Sequence, residues 1–412
     1  MHDAPPAAYR WRVLGVGVLA QMTSGLAFFP GLAVVGPALT RWYHLNLVEV
    51  GVLFGGMQLG PVLTIAAWGV VADRKGDRLV LGIGLGLGAV VLAAAALAPN
   101  FSILVGAVTV SSMLMASANV ASSRAAAGWF AANERGLALG VRQMTVPLGG
   151  VVAALALPVV SVALGIPATF VVLGIACGAV GVVASIALTR PLPSSRRPVV
   201  DVIGVWRDRR LWRLAVGVGF LIVCQNSLLT YLVLFLTGQL HLGLSAAAFA
   251  FLMTQVAGAL MRVGIGRLSD RIRLRIRPMR WVAASLVLVL LILAVAGDLP
   301  LVVVVPAAMV AAIIGMGTTG LAYTATAEIA GIENAGTAIG FEITLFAIAG
   351  TIAPVLFGSV VAWLGWPAAF VLTAASAGVG WAVLRRLANL ESHGWAAVAV
   401  RARELATATS TQ

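Results

Sequence analysis

The sequence predicts an all-α membrane protein of twelve transmembrane helices in two pseudo-symmetric six-helix bundles. Three observations predict it. The 412-residue chain is 61% hydrophobic and only 10% charged, whereas soluble domains carry about 25% charged residues. Its apolar residues gather into runs near the ~20 residues that a bilayer-crossing helix needs. Matched residues recur at a near-constant offset between the two halves. With a mean hydropathy of +1.03, these features exclude a soluble enzyme, a nucleic-acid-binding domain and a disordered chain.

The first six runs lie at 13–38, 50–72, 79–98, 101–123, 137–164 and 167–188. The second six lie at 214–236, 246–268, 281–297, 300–327, 337–364 and 366–384. Inside a bilayer only helices or closed barrels satisfy their own backbones. Alternating strand patterns are absent from the sequence, so helices are expected. The start, Met1 to Arg12, is polar and basic, and the run behind it is too long for a cleavable signal core of about 7–15 residues. A retained first span is therefore expected. The longest polar break, 189–213, holds three prolines and seven arginines. It divides the chain into an N-terminal bundle (1–188), a cytoplasmic linker (189–213), a C-terminal bundle (214–387) and a tail (388–412).

Charge sets the expected orientation. One side of the membrane collects 23 of the 27 Lys and Arg, and the other holds only Arg41. Cytoplasmic loops are the ones enriched in Lys and Arg. Both termini of a multi-pass plasma-membrane protein are thus expected inside the cell. The net charge of +13 needs no nucleic acid to explain it. Cys177 and Cys224 sit in apolar runs, and the four histidines have no metal-ligand spacing, so neither a disulfide framework nor a metal is expected.

The halves repeat. The segment 39–47, LTRWYHLNL, matches 236–244, LTGQLHLGL, at an offset of 197. At the same offset Gln58 meets Gln255, Gly69 meets Gly266, and Asp73-Arg74 meets Asp270-Arg271. Further on the offset is 200, where Gly136, Gly140 and Gly150 meet Gly336, Gly340 and Gly350. An internal duplication of six spans is a transporter signature, with the substrate site near the midplane between the halves.

The most specific motif follows the second run: Gly69-Val-Val-Ala-Asp73-Arg74-Lys75-Gly76-Asp77-Arg78. It resembles the G-x-x-x-D-R-x-G-R-R loop of the major facilitator superfamily, and Gly266-Arg-Leu-Ser-Asp270-Arg271 is a weaker second copy. The resemblance implies two halves rocking about a central site. It also implies that Asp73 faces the start of the eleventh helix and Asp270 the start of the fifth. A carboxylate is stabilised at a helix N-terminus, so Gly69, Asp73, Arg74, Gly76, Arg78, Gly266, Asp270 and Arg271 are the expected gating residues. The alternative is loop capping or a topology signal. Asp77 stands where the family usually has a basic residue, which unsettles one charge contact of the loop. The segment Trp129-Phe130…Glu134-Arg135-Gly136…Gly140 is similar to the fourth-to-fifth helix junction of organic-anion facilitators; an interfacial aromatic anchor is the alternative.

Three cations, Arg124, Arg142 and Arg262, lie inside expected spans against one carboxylate, Glu342. Intramembrane charge is costly and usually faces a cavity or a partner. The excess of positive charge points to a small organic anion, with Arg262, Arg142 and Arg124 as candidate contacts. Snorkelling or structural ion pairing is the alternative for each. The segment Met261-Arg262-Val-Gly-Ile-Gly266 is similar to the eighth helix of monocarboxylate and oxalate facilitators, where an arginine meets the substrate. Glu342 occupies the repeat position of Arg142 and is the candidate proton carrier, or else a fixed partner of Arg74. Gln21, Gln225, Asn226 and Tyr323 are candidate cavity-lining groups. A secondary transporter working by alternating access, monomeric and proton-coupled, is the expected function. A multidrug/proton antiporter of the same fold and a facilitator-like sensor are the alternatives. No catalytic constellation, cofactor motif or Walker sequence is present in the chain.

Overall fold

A computed structural model of the chain describes residues 7–130, 141, 142, 144–188, 202–295, 299–331 and 334–391. All the regular structure in these residues is helical. The first six crossings are α1 (Tyr9–Tyr43), α2 (Leu47–Lys75), α3 (Asp77–Leu97), α4 (Phe101–Ala125), α5 (Thr145–Ala163) and α6 (Gly165–Ala187). The second six are α7 (Arg209–Gln239), α8 (Leu244–Ile272), α9 (Ile276–Val295), α10 (Leu301–Ala330), α11 (335–364) and α12 (366–391). The last two form one continuous helical stretch, Ala335–Glu391, folded at Gly365, whose φ of 82° is open to glycine at little cost.

All twelve expected crossings are present, but several ends move outward. Helix α7 begins inside the expected linker, where the Asp208 side chain accepts a hydrogen bond from the Arg210 amide and caps it. Helix α12 runs on to Glu391, past the expected boundary at 387, because that carboxylate is held at the start of α9. Residues 137–140 of the expected fifth span, 189–201 of the linker and 392–412 of the tail lie outside the described residues.

Local chemistry explains much of the repeat. His44 and His241 both adopt left-handed backbone (φ 53° and 55°), ending α1 and α7. Histidine is among the few side chains enriched there. Gly165 and Gly365 (φ 81° and 82°) make the equivalent turns into α6 and α12. Asn46 and Glu49 form a reciprocal capping box at the start of α2 (2.9 and 2.8 Å). Helices α1, α4 and α10 are interrupted at Phe28, Ala116 and 316–318; the latter two positions are again 200 residues apart. The Phe28 break precedes Pro30, which lacks the N–H needed to continue the helical ladder there.

Helix α7 is the most enclosed, with every residue from Cys224 through Leu236 buried. The outward faces of α5 and α6 expose Leu155, Val159, Val162, Ile175 and Ile186, as lipid-facing helices do. Both cysteines are free and buried.

The two halves touch through glycines. The Gln255 side chain of α8 occupies the space where a Cβ at Gly150 of α5 would stand. Its repeat equivalent, Gln58 of α2, lies 2.6 Å from the Cβ position of Gly350 on α11. A Cβ at Gly51 would stand 2.5 Å from the Pro354 carbonyl oxygen, and one at Gly55 2.8 Å from that of Thr351. Tyr231 of α7 donates to the carbonyls of Leu47 (2.7 Å) and Pro354 (2.9 Å), tying α2 to α11. These contacts lie at mid-depth or toward the face opposite the linker. On the linker side, the Cβ positions of Gly69, Gly264, Gly266, Gly336 and Gly340 have no heavy atom within 4 Å among the described residues.

Gly150→Val or Gly350→Val is therefore expected to cost about 1–3 kcal/mol by overpacking and to loosen the face opposite the linker. A single cysteine placed at that face of α2, probed with a membrane-impermeant maleimide, should react faster in either variant than in the parent.

Candidate functional site

The kinks of α4 and α10 sit where the polar side chains meet. Ser122 of α4 donates to Gln21 Oε1 of α1 (3.4 Å), and Thr319 of α10 donates to Gln225 Oε1 of α7 at the same distance. Each bond joins the corresponding pair of helices, α4 to α1 and α10 to α7. Asn226 lies beside Gly350, its Nδ2 2.6 Å from that Cβ position. The expected cavity-lining groups thus include two that bond between helices.

Arg142 precedes α5 and is buried, with 8% of its surface exposed. Its guanidinium donates to Asn119 Oδ1 (2.8 Å) and Ser122 Oγ (3.1 Å) of α4. Glu342, its repeat equivalent, is 1% exposed and accepts from Thr326 of α10 at 2.7 Å. The other carboxylate oxygen, Oε1, has no hydrogen-bond partner among the described residues. Arg262 of α8 donates to the Met316 carbonyl at 3.0 Å. The break at 316–318 explains why that oxygen can accept a side-chain bond, since kinks leave backbone groups to be satisfied from neighbouring helices. Arg142, Arg262 and Glu342 are thus held by the two kinked helices, with Tyr323 of α10 within electrostatic range of all three.

Arg124 belongs elsewhere. Its Nε donates to Asp77 Oδ1 at 2.8 Å, and its guanidinium also reaches the Ala72 carbonyl. Asp77, in the first turn of α3, sits where a helix N-terminus favours an anion. The departure of the loop motif at Asp77 is thus matched by a cation on α4.

The second half builds a latch of opposite polarity. Arg275, in the loop between α8 and α9, pairs with Asp270 and with Glu328 of α10, the latter at 2.9 Å. Glu391 accepts from the backbone N–H groups of Arg275, Ile276 (2.9 Å) and Arg277 (3.4 Å), capping α9 from the end of α12. Asp270 is thus engaged with its own loop. The start of the expected fifth span, 137–140, its expected partner, lies outside the described residues, as does the side chain of Asp73. Gly76 makes the turn between α2 and α3 with φ 82°, while Arg74, Arg78 and Arg271 are exposed. Trp129 and Phe130 pack on Tyr9 and Trp11 at the start of α1, with ring centroids 5.2 and 5.0 Å apart. Residues 131–140 of the associated motif lie outside the described residues.

Two features escaped sequence reasoning. Tyr231 carried no signal, being one aromatic in an apolar run. The same holds for the Trp206, Trp212 and Phe341 cluster, in which both tryptophans meet Phe341 edge-on (5.0 and 4.8 Å).

Twelve helices in two equivalent sets, with buried polar groups meeting between them, define a membrane transporter built on an internal duplication. The sequence model of the Major Facilitator Superfamily matches residues 16–354. The chain belongs to that superfamily and is an integral, multi-pass membrane transporter of a small-molecule substrate. Two uncharacterized MFS-type transporters of Mycobacterium tuberculosis, from strains H37Rv and CDC 1551, are each 30% identical over 375 residues, 90% of this chain and 83% of theirs. A bacterial homologue of the human lysosomal transporter Spinster, in an inward-facing and occupied crystal structure, superposes with a TM-score of 0.78 at 16% identity. That match covers 92% of this chain and 97% of the other. The inward-facing, unoccupied structure gives 0.73 at 16% identity over 93% and 96%. At this identity the likeness is one of fold.

Asp77→Arg and Arg124→Asp should each destabilise the protein by about 1.5–3 kcal/mol, the worth of a hydrogen bond to a charged group. The double exchange should recover most of the loss, read as the apparent melting temperature of the purified protein.

Proposed function

We propose that the protein carries a small organic anion by alternating access, with Arg142 and Arg262 as the anion-binding pair. The observation that carries this reading is the pair of guanidinium groups held by the two kinked helices, buried Arg142 bonded to α4 and half-buried Arg262 bonded to α10. A guanidinium binds carboxylate bidentately, and low-dielectric surroundings strengthen the attraction between a cation and an anion. Gln21, Gln225 and Asn226 supply hydrogen bonds in the same layer. Arg124, engaged with Asp77, takes the gating role together with Gly69, Asp73, Arg74, Gly76, Arg78, Gly266, Asp270 and Arg271.

Glu342 is the proposed proton carrier. It is buried, one oxygen is held by Thr326, and the other accepts no hydrogen bond among the described residues. We assign the linker face to the cytoplasm, with both termini there, because it gathers 23 of the 27 Lys and Arg. On that assignment the contacts near Gly51, Gly55 and Tyr231 close the outside, and the described conformation opens inward. The bundles divide at 188/189 and 213/214, with the tail beyond 387, and the chain acts as a monomer.

Uptake into proteoliposomes of labelled carboxylates, amino acids and cationic drugs, with and without a pH gradient, tests the reading. Carboxylate uptake driven by the gradient is expected. Preference for cationic drugs would instead select the multidrug/proton antiporter, and no uptake of any solute would favour a sensor. Arg262→Lys should raise KM for the carboxylate by about tenfold, one lost charge-assisted bond of ~1.4 kcal/mol; unchanged kinetics would remove Arg262 from the site. Glu342→Gln should abolish the response to the pH gradient while leaving exchange of substrate across the membrane intact. Full gradient dependence in that variant would exclude Glu342 as the carrier.

A further inference from the structure

A groove of about 340 Å³ runs between α2 and α4, away from the central site. Its walls are Ala67, Trp68 and Val71 of α2 and Val110, Met113 and Leu114 of α4. The polar atoms nearby are already spent: Thr64 Oγ1 and Trp68 Nε1 both donate to the Met113 carbonyl at 2.8 Å. What faces outward is apolar. Leu63 and Val70 beside it are 58% and 50% exposed, so this flank meets lipid.

The groove has a charged end. Residues 64, 67, 68 and 71 recur at helical spacing, and the same stripe continues to Arg74 and Lys75 in the last turn of α2. Both are exposed, and neither forms an ion pair among the described residues. An apolar trough one turn from two exposed cations matches a ligand with a hydrocarbon chain and an anionic head. Basic pockets at the ends of transmembrane helices attract anionic headgroups.

We propose that this groove is a binding site for an anionic glycerophospholipid, with an acyl chain along α2 and α4 and the headgroup phosphate on Arg74 and Lys75. The site is separate from the substrate reading and stands or falls without it. Arg78, past the turn at Gly76, adds a third exposed cation to the same face of the membrane.

The test uses the full chain in nanodiscs containing phosphatidylglycerol or phosphatidylcholine brominated on the acyl chains. Quenching of Trp68 is read as the difference between the parent and Trp68→Phe. Brominated phosphatidylglycerol should quench Trp68 in preference to phosphatidylcholine. Each cation contributes roughly five-fold at a membrane surface, so Arg74→Gln with Lys75→Gln should reduce the preference about tenfold or more. Ala67→Phe, which fills the groove and keeps both cations, should lower quenching by both lipids. If the double variant does not fold, ~1 M salt applied to the parent serves instead, since it screens beyond roughly 3 Å and should remove the preference alone. Equal quenching by the two lipids would make the groove a seat for bulk lipid and overturn the proposal. So would a preference that survives the double variant or salt, or quenching untouched by Ala67→Phe.

Discussion

Two bundles of apolar helices have little hydrophobic reason to stay together in lipid, because the tails around them are as apolar as leucine. What holds these halves is close backbone approach, and that is possible only where a side chain is missing. Gly150 leaves the space that Gln255 fills, and Gly350 leaves the space beside Gln58. The remaining architecture depends on these two reciprocal contacts. They place α5 on α8 and α2 on α11, and so fix where the polar ends of α4 and α10 meet. Tyr231 then adds its hydroxyl, bonding carbonyls from both sides of the junction.

Inside that frame, each intramembrane charge has a distinct setting. Arg124 has a carboxylate within 2.8 Å. Arg142 donates to an amide oxygen and a hydroxyl of α4, and Arg262 to a backbone carbonyl of α10. Glu342 accepts from a hydroxyl of α10. The bonds of these three groups thus run to the two kinked helices.

The fold was legible because bilayer physics writes itself into composition: run length gives the crossings, and polar breaks give their ends. The duplication was legible at His44 and His241, within the matched segments, where a left-handed turn restricts the residue; the matching turns at Gly165 and Gly365 emerged only from the backbone. The candidate site was legible only in part. Arg142, Arg262 and Glu342 were conspicuous as charges in apolar runs, yet nothing in the sequence said that Tyr323 lies among them. Gln58 and Gln255 were visible as repeat markers, but their glycine partners sit in the opposite half, far along the chain. Asp77 and Arg124 are separated by 47 residues with no periodicity linking them, so a departure from the family motif concealed a matched pair. Glu391 lay beyond the expected end of the last helix, and its capping of α9 depends on tertiary packing alone.

The opposite polarity of the two latches has a consequence for assembly. In the first half the start of α3 supplies the anion and α4 the cation, Asp77 to Arg124; in the second the loop before α9 supplies the cation and α10 the anion, Arg275 to Glu328. Exchanged partners would set Asp77 against Glu328 and Arg275 against Arg124, like charge against like in both cases. Reversed signs thus disfavour the exchanged pairing by charge alone, whatever shape the two repeats share.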